Sequence, residues 1–146
     1  MDIKICKITP KFAQEVSEIG LITKEFQYDL EKNTTYSVDD IKRAIKNNDT
    51  ICLVAIVKNH LAGFIIRTFH PFFNEDYLSE IFVKDRYRKN GIAQLLIDES
   101  RKIMKSRGVE WTWSLVQTEN KRMQIFLEKN GFKRGKPFYF YYKDGI

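Results

Sequence analysis

Residues 77–94 constrain the fold of this chain more than any other stretch, because they place a strand, a basic turn and a helix start in immediate succession. The apolar run that contains Leu78, Ile81, Phe82 and Val83 reads as a strand over 77–84. Asp85-Arg86-Tyr87-Arg88-Lys89-Asn90-Gly91 then turns the chain, and Ile92, Leu95, Leu96, Ile103 and Met104 recur at helical spacing, with Gly108 placed to end the helix. The N–H groups of a first helical turn have no intrahelical acceptor and sit at the positive end of the helix dipole. A basic turn feeding such a helix is therefore an anion site by construction.

Charge supports that reading. Residues 1–83 hold 10 Lys/Arg against 12 Asp/Glu, whereas residues 84–146 hold 15 against 7, so the anion-binding half is the C-terminal one. A phosphate-bearing cofactor, a membrane surface and nucleic acid are the three partners such a half could serve. The longest apolar run, 51–57, has seven residues, and a membrane span needs about 20. Lys4 and Lys7 interrupt the first apolar residues, so no secretory signal is read there. Cys6 and Cys52 are too few for a disulfide framework and lack zinc spacing; both are expected as buried thiols in strands. A cytoplasmic protein without a metal is the expectation, as one domain over 1–146 with no linker.

Ile3, Ile5 and Ile8 read as a first strand, ended by Thr9-Pro10 at the start of a helix. Phe12, Val16, Ile19, Ile22, Phe26 and Leu30 give that helix an apolar face to about Asn33, with a break near Gly20. Ser37 and Asp40 form a capping box for a second helix, stopped by Asn47-Asn48-Asp49. Runs 51–57 and 61–69 around Lys58-Asn59-His60 predict an antiparallel hairpin. After the central helix come a strand over 111–116, a helix over about 119–130 closed by Gly131, and an aromatic strand over 138–142. The order is β-α-α-β-β-β-α-β-α-β-β, which implies a mixed sheet with a meander in the middle and crossovers near the end.

Arg88-Lys89-Asn90-Gly91-Ile92-Ala93 fits the signature Gln/Arg-x-x-Gly-x-Gly/Ala, and in this context the chain resembles the GNAT superfamily of N-acetyltransferases. The preceding Ile81-Phe82-Val83 strand, and Asn120 followed by Phe126, Glu128, Lys129, Gly131 and Phe132, extend the resemblance over nearly the whole chain. It implies an α/β (α+β) fold: a mixed, mostly antiparallel sheet of six to seven strands, about four helices on both faces, and a splayed central strand pair. It also implies acetyl-CoA as co-substrate. The backbone at Ile81, Phe82 and Val83 would face pantetheine and the thioester carbonyl, the loop Arg88, Lys89, Asn90, Gly91, Ile92, Ala93 and Gln94 would wrap the pyrophosphate, and Asn120 would reach the pantetheine arm or an ordered water.

Glu80 is the acid on the thioester-bearing strand and the candidate for helping remove a proton from the incoming amine; its plain alternative is a solvated strand carboxylate. At the ordinary pKa of about 4.3 it would be a weak base, which favours orientation and a water relay over direct abstraction. His60, in a turn, and His70, before Pro71, are assigned no role. Phe69, Phe72, Phe73, Trp111, Trp113 and residues 139–142 are expected in the core or in the acceptor-pocket wall. Relatives commonly carry Tyr after the Phe of the last helix, where it can protonate the leaving thiolate; this chain has Leu127, so Tyr139, Tyr141 and Tyr142 become the candidate donors. The expected reaction is direct acetyl transfer to a primary amine, on a small cationic molecule or on a protein, with Asp39, Asp40, Glu75 and Asp76 on the acceptor side. A CoA-binding regulatory module without turnover and a basic nucleic-acid-binding domain are the rivals. Nucleic acid and membrane are not the expected partners, and homodimerisation is left open.

Overall fold

The structure, a computed structural model, describes residues 1–28 and 34–146. Five strands form one sheet in sequence order: β1 (Lys4–Lys7), β2 (Thr50–Val57), β3 (His60–His70), β4 (Glu75–Val83) and β5 (Trp111–Trp113). The first four pair antiparallel, and β4 and β5 run parallel. The β2–β3 hairpin turns on Lys58 and Asn59, both at positive φ, the conformation a two-residue loop needs to match strand twist.

Among the described residues four helices cover the sheet: α1 (Pro10–Ile22), α2 (Val38–Lys46), α3 (Ile92–Ser106) and α4 (Lys121–Lys129). Alternation along the strands divides the core into two layers. Phe12, Val16, Ile19 and Ile41 of α1 and α2 pack on Cys52, Val54, Phe64 and Ile66. On the opposite face Ile92, Leu96, Ile97 and Met104 of α3, with Leu127 of α4, pack on Leu53, Ile65, Leu78 and Ile81. Leu95, expected to face inward, is 40% exposed, and Ile97 takes the buried position instead.

Local signals explain the helix ends. Pro10 stands at the start of α1 behind Thr9, although Thr9 makes no side-chain cap, and Ser37 and Asp40 close the expected capping box of α2 in both directions. The first helix stops at Ile22, and a 3₁₀ turn follows over Lys24–Phe26. Its expected continuation through Leu30 to Asn33 falls outside the described residues. Two strand expectations are corrected. The strand over 111–116 is only Trp111–Trp113, and residues 138–142 belong to no sheet, so the described residues carry five strands rather than six to seven. Among the described residues no helix is long and apolar enough to cross a membrane, and no cluster of three His, Cys, Asp or Glu could hold a metal ion.

Candidate active site

The site grows from the place where β4 and β5 part. Their ladder covers only Glu75–Trp111, Asp76–Thr112 and Tyr77–Trp113, and a final tie runs from Ser114 Oγ to the Leu78 carbonyl at 2.8 Å. Past that point β4 continues through Glu80, Ile81, Phe82 and Val83, and among the described residues no strand pairs with it on the β5 side. Unpaired backbone groups on one edge of a strand suit an extended amide-bearing ligand. On the other edge Gly63 lets β3 approach closely: a Cβ there would stand 2.5 Å from the Phe82 carbonyl oxygen.

The turn after β4 is closed by its own side chains. Arg88 Nε donates to the Val83 carbonyl at 3.0 Å and its guanidinium pairs with Asp85 at 2.7 Å, while Asn90 Nδ2 donates to the carbonyls of Tyr87 and Arg88, each at 3.0 Å. Lys89 and Gly91 take positive φ, 62° and 76°. Gly91 is the N-cap residue of α3 and supplies no capping side chain; the first intrahelical bond is Leu95 N–H to the Gly91 carbonyl. The N–H groups of Ile92, Ala93 and Gln94 are thus left for an external acceptor, and nothing lies within 4 Å of where a Gly91 Cβ would sit. Ile92 anchors the turn by burying its side chain. This open, N–H-lined turn fits a pyrophosphate.

Two other expected site residues have partners of their own. Gln94 exchanges hydrogen bonds with Asn130, at the end of α4, and Asn120 Oδ1 caps α4 by accepting from Met123 N–H at 3.2 Å. Gln94 therefore braces the end of α4 against the start of α3, whereas the Asn120 bond stays within α4.

Glu80 is not a solvated carboxylate. It is 6% exposed, on the α1/α2 face of the sheet, and burial pushes its pKa from 4.5 up to about 7. Tyr36, Tyr77 and Cys52 share its surroundings, and desolvation raises all three. Tyr36 Oη donates to Ser79 Oγ at 2.9 Å, and the hydroxyls of Tyr28 and Tyr77 lie 3.2 Å apart. Two ring stacks back this cluster: Tyr77 on Trp113, with centroids 4.3 Å apart, and Tyr28 on Phe140 at 4.9 Å. Sequence reasoning missed Tyr28, Tyr36 and Tyr77, which come from the α1–α2 connection and from β4. An odd number of residues between Tyr77 and Glu80 would put the two on one face of a regular strand; they are separated by two, so only an irregularity in β4 could bring them together.

The expected acidic rim is corrected at Asp76. Asp76 is fully buried in an ion pair with Arg67 on the α3 face, Asp40 closes the α2 cap and pairs with Arg43, and Glu75 pairs with His70. Most of the aromatics assigned to core or pocket are exposed: Phe72, Phe73, Trp111, Tyr139, Phe140, Tyr141 and Tyr142. Trp113 with Tyr77, and Phe140 with Tyr28, do join the wall of the site.

Comparison with known proteins places this geometry. A family model described as the acetyltransferase (GNAT) family matches residues 18–132. N-alpha-acetyltransferase 30 of Schizosaccharomyces pombe is 33% identical over 69 residues, 47% of this chain and 46% of that protein. Spermidine N(1)-acetyltransferase of Thermoplasma acidophilum is 31% identical over 96 residues, 66% of this chain and 58% of that protein. The chain thus spans roughly half the length of these relatives. Among solved structures, the PaiA N-acetyltransferase of Thermoplasma acidophilum in complex with coenzyme A superposes with a TM-score of 0.77 at 25% identity, covering 91% of each chain.

Proposed function

Because the chain belongs to the GNAT acetyltransferase family, we propose that it moves an acetyl group from acetyl-CoA to a primary amine by direct transfer in a ternary complex. The observation that carries this reading is the position of Glu80: a buried carboxylate on the same strand that has a free edge on its β5 side and leads into the N–H-lined turn at Gly91. The turn formed by Arg88, Lys89, Asn90, Gly91, Ile92, Ala93 and Gln94 holds the pyrophosphate through backbone N–H groups. The free edge at Ile81, Phe82 and Val83 receives pantetheine and presents N–H groups to the thioester oxygen as charge gathers there. Asn120, at the start of α4, reaches the pantetheine arm or an ordered water.

Glu80 takes the proton from the incoming ammonium. With its pKa at about 7 it is a far better base than an ordinary carboxylate, and the neutral amine then attacks the thioester carbon as the C–S bond breaks. The relatives act, by name, on spermidine and on α-amino groups, so small cationic amines and protein amines both fit the proposal, in a cytoplasmic setting.

A CoA-release assay with acetyl-CoA and a panel of polyamines, aminoglycosides and peptides tests it. Turnover with at least one amine is expected, and Glu80→Gln should lower kcat on the order of 10²-fold while leaving acetyl-CoA affinity unchanged. Tight acetyl-CoA binding with no turnover on any amine would replace the reading by that of a CoA-binding module.

A further inference from the structure

The β3–β4 ladder shifts register at one place. Ile66 pairs with Glu80 and Arg67 with Leu78, so Ser79 is an extra residue in β4. Side chains of a regular strand alternate, and an extra residue reverses the alternation beyond it. Before the bulge, Asp76 and Leu78 point to the α3 face, Asp76 into the Arg67 ion pair that also engages Ser100. In an unbroken strand Glu80 would follow them. Beyond the bulge, however, Ile81 and Val83 take the α3 face, and Glu80 and Phe82 lie on the α1/α2 face with Tyr36 and Cys52.

Two hydrogen bonds fasten that irregularity. Ser79 Oγ donates to the Ile66 carbonyl at 3.1 Å and accepts from Tyr36 Oη at 2.9 Å. Tyr36 is itself held from the other side, because Ser17 of α1, 5% exposed, donates to the Tyr36 carbonyl at 3.0 Å. A line of contacts thus runs from α1 through Tyr36 and Ser79 to β3. Bulges beside active sites commonly re-aim a side chain, and here the side chain re-aimed is the buried acid.

We propose that Ser79 and Tyr36 are positioning residues for acetyl transfer: their hydrogen bonds pin the β4 bulge and so turn Glu80 to the acceptor face. This rests on Glu80 acting as the base, and its test therefore includes a readout that needs no turnover. Tyr36, Tyr77 and Cys52 are titratable groups that act on Glu80, and Tyr28 joins them through its contact with Tyr77. The first three are raised by burial, so each stays neutral while Glu80 titrates. Its midpoint then reports how deeply the carboxylate is buried.

The experiment is the carbon-13 NMR titration of glutamate carboxyls in wild-type protein, Ser79→Ala, Ser79→Thr and Tyr36→Phe, read beside kcat and the KM for acetyl-CoA. Glu80→Gln identifies the resonance. In Ser79→Ala and Tyr36→Phe the Glu80 midpoint should move by one unit or more as the carboxylate leaves its present surroundings, kcat should drop at least tenfold, and the acetyl-CoA KM should stay within about twofold. Ser79→Thr, which keeps the hydroxyl, should restore both midpoint and kcat. Adding Ser79→Ala to Glu80→Gln should cost little beyond Glu80→Gln alone, because both changes remove one function. An unchanged midpoint and kcat in Ser79→Ala overturns the proposal, as does a full additive loss in the double variant. If Ser79→Ala does not fold, Tyr36→Phe decides by the same readouts. A protein inactive on every amine whose Glu80 midpoint still responds to Ser79→Ala would defeat the acetyltransferase reading and leave the pinned bulge standing.

Discussion

Arg67 and Asp76, on adjacent strands, close a two-point ion pair of 2.6 and 3.0 Å with 3% and 0% of their side chains exposed. The pair does not stand alone. Arg67 also donates to Ser100 of α3 at 2.9 Å, and Thr112 of β5 bonds both partners, donating to Asp76 at 2.5 Å and accepting from Arg67 at 3.1 Å. Three strands and a helix are thereby tied together one residue short of the point where β4 and β5 separate. The parting of β4 from β5 thus starts from a fixed root.

That arrangement predicts unequal costs. Asp76→Ala leaves a guanidinium buried without its counter-charge, an error worth about 3–5 kcal/mol. Thr112→Val removes hydrogen bonds but keeps the ion pair and should cost roughly 1–2 kcal/mol. Urea denaturation of both variants at neutral pH gives the comparison; equal losses would show that the pair is not the centre of the network.

Gly91 yields a prediction in which folding and binding separate. A side chain at this position meets no atom within 4 Å, so the strain of Gly91→Val comes only from its φ of 76°, a region that β-branched residues avoid. The apo protein should fold with a loss of about 1–3 kcal/mol. The rise in melting temperature expected with acetyl-CoA should vanish, because in the proposed binding mode the added side chain stands where phosphate approaches the N–H groups of α3. An undiminished shift in a folded Gly91→Val protein would remove the turn from the binding site.

The parts of this fold that were legible in the sequence are those whose signals are local. The Lys58-Asn59 turn, the Ser37–Asp40 capping box, and Gly91 and Gly108 at the two ends of α3 each follow from the conformations that a few neighbouring residues prefer. The turn of the candidate site was legible for the same reason. What escaped depends on contacts between distant segments. Nothing near Glu80 in the chain announces that a bulge at Ser79 turns it to the α1/α2 face, since the hydrogen-bond partners of Ser79 are Tyr36 from before α2 and Ile66 from β3. Asp76 looked like a rim carboxylate because its partner Arg67 lies on another strand. The aromatic run at 138–142 has the composition of a strand, but composition cannot supply a neighbouring edge to pair with.

Burial of Glu80 gives a pH-dependent stability whose sign can be worked out. Its pKa rises from 4.5 in the unfolded chain to about 7 in the fold, so between these values the folded state binds the extra proton. The stability it contributes is complete below pH 4.5 and is lost as pH rises through about 7; the loss is on the order of 3 kcal/mol. Glu80→Gln, which cannot ionise, should therefore melt higher than wild type at pH 8.5 and close to it at pH 4.5. Melts of both proteins across that range check this. A wild-type stability as insensitive to this range as that of Glu80→Gln would mean that the carboxylate is solvated after all.

The same titration shapes the rate. With both substrates saturating, kcat should climb as Glu80 loses its proton near pH 7 and then level off. Whether it falls again depends on how the departing thiolate is protonated. Leu127, where relatives offer a tyrosine, is 6% exposed in the core beneath α4 and has no proton to give. In the final segment Tyr139 and Tyr141 are 90% and 88% exposed, while Tyr142, 44% exposed, stacks on Phe140, which in turn stacks on Tyr28. A thiol of pKa about 8.5 leaves as thiolate far more readily than an alcohol would, so departure without a general acid is chemically sufficient for a modest rate. A phenol acting as donor would make the rate fall as it ionises near pH 10. We therefore expect a plateau that persists to pH 10 in the wild type and in Tyr139→Phe, Tyr141→Phe and Tyr142→Phe alike. A falling basic limb in the wild type that disappears in one of the three would identify that tyrosine as the donor and overturn the expectation.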